Sequence, residues 1–505
     1  MHPEVDWPNT REGGRARVRA GGRGRAVVSP RVGDPLDERD QLTAALSVAA
    51  EEARVYLADL DSRAVLGPGA EELVHRWPDP MPEEGDGTLA ALRELAARGQ
   101  QAATRSSGPR FFHFVMGGGT PAALGADWLT STFDQVAFGW ASSPMAARLE
   151  QVAVDWLRQL FELPNEFGGV LTSGATMGNF VALAAARNWW AEQHGVDVEQ
   201  DGLSELPAPS ILTSGYIHPS ALQAIGMLGM GQGNVERFTR DTAGRLDADS
   251  LERRLRELDG PAILVANAGE VNAGDFDPIE LMADLASKHG AWLHVDGAFG
   301  LFARLTPEVR RLAAGVERAN SVISDGHKWL NVPYDCGFAF VRGAGRLART
   351  FNVGAPYLPS PDDPRPNPGF LTPENSRRAR ALPVWATLRA YGRAGYREMV
   401  ERHLRLARHL AKRIDDAPQL ERLAEVKLNI VCFRARPEGV AKDELDALNR
   451  ELGEALLRDG RVFAGTTDYE GKVAFRPAIV NWRTREEDVD LLVDVLLELL
   501  EARVR

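Results

Sequence analysis

A chain of 505 residues, 44% hydrophobic and 26% charged, has the composition of a folded globular protein and enough length for two or three domains. Its net charge of −12, from 59 basic and 71 acidic residues, argues against a nucleic-acid binder, which needs clustered Lys and Arg. No apolar run approaches the roughly 18 residues of a membrane span, and Cys336 and Cys432 lack metal-ligand spacing, so a reduced, cytoplasmic protein without a metal site is expected.

Residues 1–35 place Arg11, Arg15, Arg17, Arg19, Arg23 and Arg25 among glycines with almost no large apolar side chain, the composition of a flexible arm. Residues 36–120 read as a helical segment. LTAALSVAAEEARVYLADL and TLAALRELAARGQQA both carry apolar residues at helical spacing, and PDPMPEEGDG (78–87) separates them. Between 121 and 382 the runs GGVLTS, SILTSG, AILVANAG, AWLHVDG, SVISDG and CGFAFVR alternate with amphipathic stretches. Continuous apolar strands between helices predict an α/β domain with a mainly parallel sheet covered on both faces. From 383 to 505 a long helix with Val400, Leu404, Ala407, Leu410 and Ile414 on one stripe precedes the strand candidates LNIVCF and KVAFRPAIVN. A closing helix, VDLLVDVLLELL, completes a small α+β domain.

Two residues of the large domain carry the chemical signal. Asp296 ends the apolar run AWLHVD, and Lys328 stands in ISDGHKWLN. An aspartate that keeps a ring nitrogen protonated and a lysine that forms a Schiff base are what a protein supplies to pyridoxal 5'-phosphate. Asp296 at the carboxyl end of a buried strand lies where parallel sheets place ligands, although a helix N-cap would also suit an aspartate there. A surface lysine is the plain alternative for Lys328, and the apolar WLNVPYDCGFAFV that follows fits it poorly. VLTSGATMGNFVALAAARNWW reads as strand, turn and helix, so the N–H groups of Gly174, Ala175 and Thr176 would converge at a helix start that favours anions. His218 follows another strand in GYIHPSA, where its ring could stack on a cofactor or simply be a satisfied loop histidine.

TSGAT, YIHPSA, HVDGAFG and DGHKWLNVPYDCG, in this order, resemble the group II pyridoxal-phosphate-dependent decarboxylases, which include aromatic-L-amino-acid, tyrosine, histidine and glutamate decarboxylases. The resemblance runs from RFFHFVMGGGTPAALGADWL (110–129) to FRPAIVNWRT (475–484). It implies the fold type I aminotransferase architecture, with a seven-stranded sheet, and an intertwined homodimer. It also implies that Lys328 is the Schiff-base lysine, that Asp296 partners the pyridine nitrogen and that Ala298 lies beneath the ring. His218 matches the stacking histidine; Ala175, Thr176 and His327 match positions around the phosphate.

Tyr357, in the proline-dense NVGAPYLPS, matches the loop tyrosine that returns a proton after CO₂ leaves, and a solvated linker tyrosine is the plain alternative. Related aldehyde synthases replace it, so its presence favours simple decarboxylation. The chain departs from animal members at AGEVNAGDFDP, where Glu270 and Val271 replace a Thr-Thr pair near the cofactor's 3'-oxygen, followed by Asn272 and the VN often seen in bacterial relatives. Asp325 replaces an asparagine that contacts the phosphate, so its carboxylate is expected to point away or be neutral. Around the substrate the candidates are Phe114 in FFHFVMGG, Phe138 and Trp140 in FGWASSP, and Arg476 in AFRPAIV. Phe138 and Trp140 reach a neighbouring subunit's site or serve as core aromatics. Arg476 holds a carboxylate or joins a structural ion pair.

The function expected is pyridoxal-phosphate-dependent decarboxylation of an L-amino acid, aromatic side chains among the candidates, to an amine and CO₂. An aldehyde-forming enzyme, an aminotransferase and another Cα reaction are the alternatives, and an inactive scaffold is the reading the sequence favours least because Lys328 is present.

Overall fold

The computed structural model describes residues 34–504 apart from 78–80, 344, 352–353, 355, 357–359 and 361–362. The Arg-rich arm and Tyr357 therefore lie outside the described residues.

The large domain is built on seven strands: β1 Phe167–Thr172, β2 Ser210–Thr213, β3 Val235–Arg237, β4 Ala262–Asn267, β5 Trp292–Asp296, β6 Ser321–Asp325 and β7 Gly337–Arg342, in the order β1-β7-β6-β5-β4-β2-β3. β2 to β6 pair in parallel, while β7 runs antiparallel to both β1 and β6. The expected mainly parallel sheet is thus found, with one reversed strand that the apolar run CGFAFVR did not reveal. Every residue of β4, β5 and β6 is buried, as expected for strands covered on both faces. The short β3 was not among the predicted strands.

The helix Ala175–Glu192 crosses beneath the sheet, and its run of alanines lets it lie close to the strands: a methyl added at Gly178 would stand 3.4 Å from Ile323 and Phe338. At the N-terminal end the helices Leu42–Ala58 and Thr88–Ala102 form where the apolar spacing places them, yet neither has a fully buried residue. Leu42, Leu46 and Leu95 are exposed.

The C-terminal sheet orders β10 Thr466–Tyr469, β11 Lys472–Phe475, β9 Phe433–Ala435 and β8 Leu420–Arg422, all antiparallel. LNIVCF is corrected here: only its last residue enters β9, because Asn429 and Ile430 pair with the segment after β11 rather than with a strand edge. The helix Ala381–Asp415, broken at Gly392, spans the expected domain boundary at 382/383 and joins two cores. Val384, Val400 and Leu404 pack in the large core, whereas Ala407, Leu410 and Ile414 pack against Val489, Leu492 and Leu496 of the closing helix Glu486–Val504. No helix among the described residues is long and apolar enough to cross a membrane.

Candidate active site

Because β1 and β2 to β6 point the same way, the segments that leave their carboxyl ends meet at one edge of the sheet, where such folds place ligands. Gly174 follows β1, His218 follows β2, Glu270 follows β4, Ala298 follows β5 and Lys328 follows β6. They line a cavity of about 610 Å³, within the usual range for a small-molecule site. Asp296, Thr176, Ala175, Asn272 and His327 share that lining.

Asp296 ends β5 with 5% exposure, and both carboxylate oxygens are held. The Ala298 N–H donates to Oδ1 at 3.1 Å, and Asn179 Nδ2 donates to Oδ2 at 2.9 Å. Behind Asn179 stand His294, whose Nε2 is 2.8 Å from Asn179 Oδ1, and Ser321, whose Oγ is 2.8 Å from His294 Nδ1. Trp292 Nε1 donates to the same Ser321 oxygen at 2.9 Å, so the serine hydrogen points to His294 and the imidazole hydrogen points to Asn179. Four donors therefore align in one direction, from Trp292 through Ser321, His294 and Asn179 to Asp296. Burial lowers the pKa of His294 to about 4, which keeps the ring neutral in this chain. The sequence reading missed Asn179 and Ser321, which lie far from Asp296 along the chain. His294 was visible inside HVDG, but its partners were not.

Lys328 sits in the turn after β6 with Nζ 2.9 Å from Asp325 Oδ2. Its backbone is pinned from the other side: a methyl on Gly117 would meet the Lys328 carbonyl at 2.0 Å, so the glycine run after FFHFVM allows that close approach. His327 stacks on Tyr334 at 4.2 Å between ring centres. Its pKa is lowered by burial, with Asp325 opposing.

At the start of the Ala175 helix, Gly174 provides no side-chain cap, and the Thr176 and Met177 N–H groups have no acceptor among the described residues. Unfilled N–H groups at a helix start in a cavity wall suit a phosphate. Of the two expectations for Asp325, to point away or be neutral, the first is corrected: its Oδ1 accepts from the Ala175 N–H at 2.6 Å, because the end of β6 lies directly beside the helix start.

His218 caps the helix Pro219–Met227, with Nδ1 2.7 Å from Ser220 Oγ, and turns its ring to the cavity. Partial desolvation by the surrounding walls lowers its pKa, an effect that nearby Asp296 opposes. Glu270, 6% exposed, accepts from the Asn272 N–H at 2.7 Å and the Ala273 N–H at 2.8 Å, and burial raises its pKa. Asn272 spends its side-chain oxygen on Thr467 Oγ1 at 2.8 Å, tying this loop to β10.

The substrate candidates divide. Of the FFHFVMGG residues, Val115 lines the cavity, whereas Phe114 is 53% exposed and its ring packs on His113. Phe138 packs edge-on to Phe370, the Trp140 N–H donates to Asn367 Oδ1 at 3.0 Å, and neither lines the cavity of its own chain. Arg476 has no ion pair among the described residues; it donates to the carbonyls of Phe114 at 3.3 Å and Val271 at 3.5 Å. Burial lowers its pKa, with Glu270 opposing.

The residues present fit pyridoxal 5'-phosphate, since unfilled helix-start N–H groups, a lysine amine and a buried carboxylate face one cavity. The profile of the pyridoxal-dependent decarboxylase conserved domain matches residues 71–436. The chain is 28% identical over 425 residues to an aromatic-L-amino-acid decarboxylase of Bacillus atrophaeus, covering 83% of this chain and 86% of that one. It is 31% identical over 434 residues to an L-2,4-diaminobutyrate decarboxylase of Rhizobium meliloti, covering 83% of each. The crystal structure of Oryza sativa TDC with PLP and tryptamine superposes with a TM-score of 0.84 at 25% identity, over 92% of this chain and 99% of that one. A match to most of the chain in sequence, and to nearly all of it in fold, places this protein in the pyridoxal-dependent decarboxylase family.

Proposed function

We propose that this pyridoxal-phosphate-dependent carboxy-lyase converts an aromatic L-amino acid to its amine and CO₂, acting as a homodimer. The observation that carries the proposal is the convergence of Asp296, Lys328 and the start of the Ala175 helix on one cavity. The bound cofactor supplies a sink for the electron pair left at Cα when CO₂ departs.

Lys328 is the amine that would hold the cofactor covalently. Asp296, its charge supported by Asn179 and the Ala298 N–H, keeps the proton on the ring nitrogen. Gly174, Ala175, Thr176 and His327 would hold the phosphate, and Asn272 and Ala298 of the same lining would serve the ring. His218, at the cavity wall, would offer a flat face for stacking. Arg476, without an ion pair and close to Glu270 and Val271, holds the substrate carboxylate in place. Tyr357 returns a proton to Cα, a role supported by its place in the sequence alone.

Val115 and Tyr334 on the cavity wall favour an aromatic side chain. The helices Leu42–Ala58 and Thr88–Ala102, with no fully buried residue and with exposed leucines, support the dimer, in which Phe138 and Trp140 face the partner's cavity.

A panel of amino acids that includes the aromatic, acidic and diamino types tests the substrate class. The expected result is one CO₂ and one amine per aromatic substrate, with no oxygen consumed. Tyr357→Phe should lose amine and form aldehyde. Full amine production by that variant would remove Tyr357 from the proposal, and amino transfer to a keto acid by the wild type would overturn the decarboxylase reading.

A further inference from the structure

The start of the Ala175 helix is already engaged by an anion of the chain itself. Asp325, 2% exposed, accepts from the Ala175 N–H at 2.6 Å through Oδ1 and pairs with Lys328 Nζ at 2.9 Å through Oδ2. His327 Nε2 stands 3.5 Å from Oδ1, and a methyl added at Gly174 would also come within 3.5 Å of it, so the carboxylate lies inside the helix-start cradle. One side chain thus touches both the first N–H of the helix start and the lysine amine.

A phosphate seated on the neighbouring Thr176 and Met177 N–H groups brings a like charge beside Asp325 in a site withdrawn from water, where screening is weak. An ammonium held in an ion pair must give up both its proton and its partner before it can attack a carbonyl carbon. Among the described residues Lys328 and His327 are the basic groups within ion-pair distance of Asp325, while Asp296 and Glu270 are the other carboxylates of the cavity lining.

We propose that Asp325 is a built-in placeholder for the cofactor's phosphate. In the unloaded chain it holds the first N–H of the helix and Lys328, and loading displaces it from the Ala175 N–H. This rests on the assignment of the phosphate to that helix. It makes the wild-type chain bind its cofactor less tightly than the same site with a neutral side chain there, and it makes the penalty specific to the phosphate.

The full chain, stripped of cofactor, is titrated with pyridoxal 5'-phosphate and with pyridoxal, following tryptophan fluorescence and visible absorbance. Asp325→Asn, which keeps the shape and an acceptor for the Ala175 N–H, should bind the phosphorylated compound at least tenfold more tightly than wild type. Pyridoxal affinity should change less than threefold, and inorganic phosphate should compete better with the variant. Should the Asn variant fail to fold, Asp325→Ser carries the same expectation. Unchanged affinity for pyridoxal 5'-phosphate, or an equal gain for both compounds, overturns the placeholder. Wild-type protein that binds pyridoxal as tightly as its phosphate overturns the phosphate assignment, and the placeholder with it.

Discussion

Asn179 never touches the cavity, yet it should set the strength of the Asp296 charge that the chemistry uses. It is fully buried, donates to Asp296 Oδ2 at 2.9 Å and accepts from His294 at 2.8 Å. Replacing it by alanine removes one charge-assisted hydrogen bond, worth about 1.5–3 kcal/mol. Asp296 then competes harder for the proton it should leave on the ring nitrogen, and the electron sink weakens. If the whole loss appears in the barrier, kcat falls roughly ten- to 150-fold, since about 1.4 kcal/mol corresponds to a factor of ten. KM should change little, because no substrate contact is lost. Asn179→Asp, which keeps the size but sets an acceptor against Asp296, should be worse than alanine. The assay is steady-state CO₂ release with the best substrate of the panel, alongside cofactor content and circular dichroism. Wild-type kcat in Asn179→Ala, or an Asp variant no worse than the Ala variant, would refute the role given to the donor chain.

Lys328→Ala should abolish the visible absorbance of the lysine-linked cofactor while the protein stays folded, because Lys328 is only partly buried; an unchanged spectrum would sink the assignment. His403 is fully buried, accepts from Trp329 Nε1 at 2.8 Å and faces the Asn481 carbonyl at 2.9 Å, and burial lowers its pKa to about 3. The unfolded ring takes up a proton below about 6.5 while the folded ring does not, so the stability His403 contributes is present above that pH and is lost as the pH falls towards 3, by up to about 1.4 kcal/mol per unit. Urea unfolding at pH 7, 6 and 5 checks this: His403→Gln should show a shallower loss, and parallel curves for variant and wild type would refute it.

Much of the site was legible because its chemistry is written in short contiguous runs. HVDG, DGHKW and TSGAT each begin within the end of a strand whose apolar run is plain, and a parallel sheet brings such strand ends together whatever the rest of the chain does. Asp296, Lys328, His218 and Thr176 accordingly line one cavity. The long helix stripe through Leu410 and Ile414 was equally plain, since burial enforces a helical period.

What the sequence could not supply is pairing between distant segments. Local pattern places Asp325 at the end of a strand, but only the packing of β6 beside the Ala175 helix turns its carboxylate onto the helix start. The reversal of β7, the partial loss of the LNIVCF strand and the outward turn of Phe114 have the same origin. Each depends on which neighbour a backbone or side chain meets, and that is decided by close packing among elements far apart in the chain. By itself the sequence determined the family, the cofactor and the strand ends that meet at one cavity; the tertiary structure decided the charge contacts that Asp325 and Asp296 make, because electrostatic partners are fixed by a few ångströms of distance rather than by order along the chain.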